Sequence, residues 1–216
     1  MGAITRGVAN GITTSGVVLK SIINNDSFDN VTALPSSFGD GITLISSQTA
    51  SNSASISFTS GLNGTYKAYK FVFTDIHPRT DNVAFHFNLS TDSGSNYNVT
   101  KTTTFFYAIH RENDTVTSLE YTAPFDLAQS TSFQNLAGEA GSDADQSIAG
   151  NLTLFNPSST TYVKHFISVN SQNQYSDYSM NNFIAGYGNT TSAVNAIQFK
   201  MSSGNFDGTI YLYGIK

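Results

Sequence analysis

The sequence predicts an all-β protein, an antiparallel β-sandwich of jelly-roll type preceded by an extended N-terminal arm. Three observations lead there. Apolar and polar residues alternate with a period of two in short runs from Ile42 onward. Sixteen Phe, eleven Tyr and abundant Ser, Thr and Asn favour strands. Only 12% of residues are charged, too few for many amphipathic helices.

Residues 1–40 read as the arm. Gly2, Gly7, Gly11 and Gly16 interrupt any regular pattern, and Pro35, Gly39 and Gly41 punctuate its end. Arg6 and Lys20 are its only cations before Asp26. The segment is nevertheless more apolar than a solvating tail, through Ile4, Val8, Val17, Val18, Leu19, Ile22 and Ile23. With Arg6, these residues are the expected docking contacts, and 21–25 is a candidate β-segment. A disordered tail is the plain alternative.

Residues 41–216 read as the β-domain. Ile42–Leu44 opens it, and Ala54–Ser60 sets Ile56 and Phe58 on one face. Ala68–His77 aligns Tyr69, Phe71 and Phe73. Asn82–Ser90 is the clearest strand: Val83, Phe85, Phe87 and Leu89 face inward, with Ala84, His86, Asn88 and Ser90 outward. Residues 90–97 form a turn, and Asn98–His110 is a long β-branched and aromatic strand. Residues 111–150 are less regular, with a helical turn at 125–128 and an exposed acidic loop at Gly138–Ser147. Leu152–Phe155, Thr161–Val169, Asn182–Tyr187, Asn195–Ser202 and Thr209–Ile215 complete about ten strands. The closing TIYLYGIK lies in or after the last strand and is expected to belong to the core.

Composition excludes several chemistries. There is no cysteine, hence no disulfide, thiolate metal site or Cys nucleophile. A net charge of −5 with ten scattered basic residues argues against nucleic-acid binding. No apolar run approaches a membrane span, and Met1–Lys20 lacks the pattern of a secretory leader. A soluble cytoplasmic product is therefore expected. The eight Asn-x-Ser/Thr sequons are what an Asn-, Ser- and Thr-rich chain generates by chance.

Catalytic and metal patterns are weak. His77, His86, His110 and His165 lack metal-ligand spacing, and no G-x-S-x-G elbow is present. Asp75, Glu112, Asp114, Glu120 and Asp126 do not single out a carboxylate pair, so a glycan-degrading hydrolase is the least favoured reading. Asp143 and Asp145 lie in a loop without an EF-hand completion. Neither a metal nor a cofactor is expected. The best surface-ligand candidate is a Tyr- and Asn-rich loop at 168–182, with Asn173, Tyr175, Asp177, Tyr178 and Asn181 as contacts.

Several blocks carry a resemblance. They are MGAITRG and NVTALP at the front, then SSQTAS, ISFTSGLNGTY, IHPRTD, STDSGSNYNVTKTTTFF and DLAQSTSFQ. They continue with NPSSTTYVKHFIS, AGYGNTTSAVNAIQFKMSSGN and TIYLYGIK. Over almost its whole length the chain resembles a family of tail-fibre-like virion structural proteins. These come from tailed phages of marine bacteria, cyanophages included. The resemblance implies a non-enzymatic particle component, located in the virion and assembled in the host cytoplasm. It implies other virion proteins as partners, a homo-oligomer (commonly a trimer), and a host surface glycan or protein as target. It leaves open a tail appendage or a capsid decoration protein whose arm staples capsomers.

Overall fold

The computed structural model describes residues 41–216. The predicted docking residues Ile4, Arg6, Val8, Val17, Val18, Leu19, Ile22 and Ile23 lie outside them. The described chain is all-β and antiparallel, with one short 3-10 turn at Ala123–Phe125. Its strands are β1 (Ile42–Ser53), β2 (Ile56–Phe58), β3 (Ala68–Pro78), β4 (Val83–Ser90), β5 (Lys101–Arg111) and β6 (Thr117–Tyr121). They continue with β7 (Gln134–Ala140), β8 (Ile148–Phe155), β9 (Lys164–Gln174), β10 (Tyr178–Gly188), β11 (Ala196–Met201) and β12 (Phe206–Ile215).

Two layers emerge from the pairing. One runs β1-β12-β3-β8-β9-β10-β5-β6, the other β7-β4-β11-β2. They join where Ala140 of β7 meets Gln174 of β9. At the far end β1 and β2 approach, and Gln48 Nε2 donates to the Ser57 carbonyl at 2.8 Å. The sheet thus bends back until it nearly closes into a barrel. β1 pairs with β12, β2 with β11 and β5 with β10, while β3 lies between β12 and β8 and β4 between β11 and β7.

The core between the layers is aromatic. Phe199 of β11 is its hub, with Phe58, Phe71, Phe73, Phe85 and Phe87 around it at centroid distances of 5.3–6.5 Å. Phe87 meets Phe166 edge-on across the layers at 5.0 Å. All of these rings are buried. The predicted inward faces of β3, β4 and β11 are therefore the observed ones.

Some expectations need correction. Asn88 and Ser90, expected outward, are fully buried. The segment after β4 covers them: Asn88 Nδ2 donates to the carbonyls of Tyr97 and Thr131 at 2.7 and 2.9 Å. The acidic loop at 138–147 is in part strand, because β7 runs through Gly138–Ala140. A Cβ at Gly138 would overlap the Phe125 ring, so glycine allows that ring to lie on the strand. The helical turn sits at Ala123–Phe125 rather than 125–128. The loop at 168–182 is a hairpin of two long strands, β9 and β10, joined by residues 175–177.

His86 contributes a pH dependence. Burial on the outward side of β4 pushes its pKa down from 6.5 to about 4; a hydrogen bond with Asn135 opposes this and the Lys200 charge adds to it. Between these values the unfolded chain binds a proton that the folded domain does not. Stability is therefore lost as pH falls from 6.5 to about 4, by up to about 1.4 kcal/mol per pH unit. Urea midpoints at pH 7 and 4.5 should show a drop that His86→Gln largely removes. An equal drop in the variant would exclude His86 as the cause.

Candidate functional site

The inner face of β5, β10 and β9 is covered for only part of its length. Phe125 packs edge-on against Phe105 at 5.2 Å and closes that part. Beyond it Tyr107, Ile109, Arg111 and Tyr178 are only half-buried. Alternation from Phe105 places Tyr107, Ile109 and Arg111 on this face. In register, Asn182 faces Tyr107, Met180 faces Ile109 and Tyr178 faces Arg111. β9 adds Gln172 beside Met180 and Gln174 beside Tyr178.

The result is a groove of about 330 Å³ lined by Tyr107, Ile109, Arg111, Tyr178, Met180 and Gln174, with Glu139, Tyr175 and Ser176 on its rim. That volume lies at the small end for ligand sites. Two backbone features shape the rim. Between the pairs Phe85–Ala137 and Val83–Ala140, two residues of β7, Gly138 and Glu139, oppose the single Ala84 of β4. Glu139 sits in this bulge at φ +55°. Such bulges re-aim side chains next to functional sites. The second feature is the three-residue turn 175–177, which ends with Asp177 at φ +63°.

Hydrogen bonds fix the polar groups. Gln174 Nε2 donates to Glu139 Oε2 at 3.1 Å, and the Ser176 amide donates to Gln174 Oε1 at 2.8 Å. The Tyr175 amide donates to the Glu139 carbonyl at 3.1 Å, tying turn to bulge. Arg111 lies over the Tyr178 ring at 5.2 Å, a cation–π contact. Among the described residues Arg111 and Glu139 form no ion pair. Tyr107 donates its hydroxyl to Glu120 Oε2 at 3.1 Å. Burial raises its pKa, the bond to Glu120 acting the same way.

Of the five predicted ligand residues, the fold brings two into the groove: Tyr175, 39% exposed, and Tyr178. Asp177 holds the turn, its carbonyl accepting from the Glu112 amide at 3.0 Å. Asn173 and Asn181 lie on the opposite, outward face. Tyr107, Arg111, Glu139 and Gln174 escaped the sequence reading. Parity with the inward Phe105 would have flagged Tyr107 and Arg111. Nothing local marks Glu139, which a bulge aims.

A shallower hollow of about 510 Å³ lies around Phe155, Tyr162 and His165, but few polar groups converge on it. Among the described residues no three His, Cys, Asp or Glu side chains gather as metal ligands. No described helix is long and apolar enough to cross a membrane. The sequence matches no protein-family model and no curated protein.

Proposed function

We propose that this chain is a non-enzymatic virion structural protein. It is a tail-fibre or tail-associated appendage that docks to the particle by residues 1–40 and displays the β-domain for host-surface attachment. The blockwise sequence resemblance supports the particle assignment. The observation that carries the attachment role is the groove at the end of β5, β10 and β9, where tyrosines meet a fixed carboxylate and amide.

Other virion proteins and further copies of this chain are the partners in this reading, with a trimer as the assembled form. One feature of the domain supports self-association. Tyr121, Phe106, Phe183 and Val169 are successive cross-strand partners on the outward face of β6, β5, β10 and β9. Phe106 and Phe183 stack at 4.9 Å, and Leu119 and Tyr121 beside them are 72% and 58% exposed. An apolar row of this kind suits a subunit contact.

Capsid decoration is the second reading, in which the arm staples capsomers. The edge of β6, which pairs only with β5 among the described residues, favours it, since an open strand edge can take up a neighbour's strand. Both readings use the arm. Deleting residues 1–40 should leave a folded β-domain, with intact far-UV circular dichroism and cooperative melting, that no longer joins particles during phage assembly. Incorporation of the truncated chain at the full-length level would refute docking through the arm.

A further inference from the structure

We propose that the groove binds a single pyranose ring of a surface saccharide, with Tyr175 as its stacking platform and Glu139 and Gln174 as its hydroxyl-binding pair. This rests on the attachment role proposed above and names the ligand of that site.

The chemistry follows from the lining. A pyranose presents an apolar C–H face and a rim of neighbouring hydroxyls. A flat, partly exposed ring suits the face, and Tyr175 provides one at 39% exposure. Coplanar pairs of polar atoms suit the rim, because each pair can bridge two adjacent hydroxyls. The Glu139 carboxylate and the Gln174 amide are held side by side by their 3.1 Å hydrogen bond. Glu139 reaches this place through a left-handed backbone at φ +55°, a conformation that costs about 1 kcal/mol or more in a non-glycine residue. Such strain concentrates at ligand sites.

A second observation lies behind the groove. Asn182 is fully buried between Tyr107 on β5 and Asn170 on β9, one step inward from the lining residue Met180. Among the described residues neither its Nδ2 nor its Oδ1 has a partner, and the side-chain Oδ1 of Asn170 and Oε1 of Gln172 are likewise unpaired. Paired amides are the rule in protein interiors. Buried behind Met180, these unpaired atoms do not line the groove themselves, but they offer hydrogen bonds to a water that a ligand's hydroxyls carry inward. The groove's volume suits one ring, whereas a protein partner would need a broad face.

The test uses the full chain. A panel of methyl pyranosides (gluco, galacto, manno and rhamno forms) is titrated by NMR saturation transfer. Tyr175→Ala and Glu139→Gln are run alongside, with melting temperature and particle incorporation measured on each. The expected result is binding of at least one pyranoside, weakened about tenfold or more by either substitution, with melting and incorporation unchanged. Binding of a pyranoside at wild-type strength in both variants would place the sugar elsewhere and overturn the inference. So would the absence of binding to every pyranoside by folded protein. In either case normal incorporation into particles would leave the virion assignment standing. Sugar binding by a chain that never enters particles would support the groove while removing that assignment.

Discussion

Phe85→Asp is expected to yield no folded β-domain. Phe85 is fully buried at the centre of β4, edge-on to Phe73 at 5.3 Å and beside Phe199 and Phe206 at 6.0 Å each. Among the described residues no Lys or Arg lies over these rings, so the carboxylate would be an unpaired charge in an aromatic interior. Its desolvation alone rivals the total stability of a typical domain, about 5–15 kcal/mol. Phe199→Ala provides the calibration. It removes the hub ring without introducing charge and should cost about 3–5 kcal/mol while leaving a folded, less stable protein. Circular dichroism and denaturant titration separate the two. A cooperative transition for Phe85→Asp at the wild-type midpoint would mean that the inner face of β4 is wrongly assigned.

The second large effect is alkaline stabilisation through Lys101. Lys101 and Lys164 flank Gly188 in one cross-strand row on the inner face, and both are fully buried. Among the described residues neither has a carboxylate partner. Lys164 Nζ donates to three carbonyls, those of Ser159 and Tyr162 at 2.7 Å and of Thr190 at 3.1 Å. Three acceptors match the three donors of an ammonium. Lys101 Nζ has two acceptors, Asn88 Oδ1 at 2.5 Å and the Val99 carbonyl at 2.8 Å, which match a neutral amine. Burial lowers its pKa from 10.5 to about 7.

Between those values the unfolded chain carries a proton that the folded domain has released. Stability must therefore rise with pH across the window, by up to about 1.4 kcal/mol per unit. From pH 7.5 to 9.5 the expected gain is about 2–3 kcal/mol, or roughly 5–10 °C in melting temperature. Lys101→Met should remove most of the rise. A wild-type melting temperature that falls over this range would mean that Lys101 stays charged in the folded domain.

Strands with one apolar face were legible because their alternation is a direct consequence of half-burial. Val83, Phe85, Phe87 and Leu89 illustrate it, as do Ile197, Phe199 and Met201, all buried as expected. Two strands escaped notice for opposite reasons. β6 is an exposed edge with no buried residue, so no burial period is written into it. β7, QNLAGEA, is nearly all buried but built from small and polar residues of low β-propensity. The inner face of β9 misled for the same reason. Ser168, Asn170, Gln172 and Gln174 are buried, yet they read as a loop because their polarity is satisfied or directed inside the fold.

The groove was legible at only two of its lining residues. Tyr175 and Tyr178 stood out through their aromatic character in a polar stretch. Their neighbours in space, Arg111 and Glu139, come from β5 and β7, which only the strand pairing and one bulge bring to the same groove.

The measurement that bears most directly on the central claim is the copy number of this chain in purified particles, by quantitative mass spectrometry against the major capsid protein. A small multiple of the tail's symmetry is the predicted result. A count near that of the capsid protein would contradict the tail placement and favour decoration, and absence from the particle would contradict the virion assignment altogether.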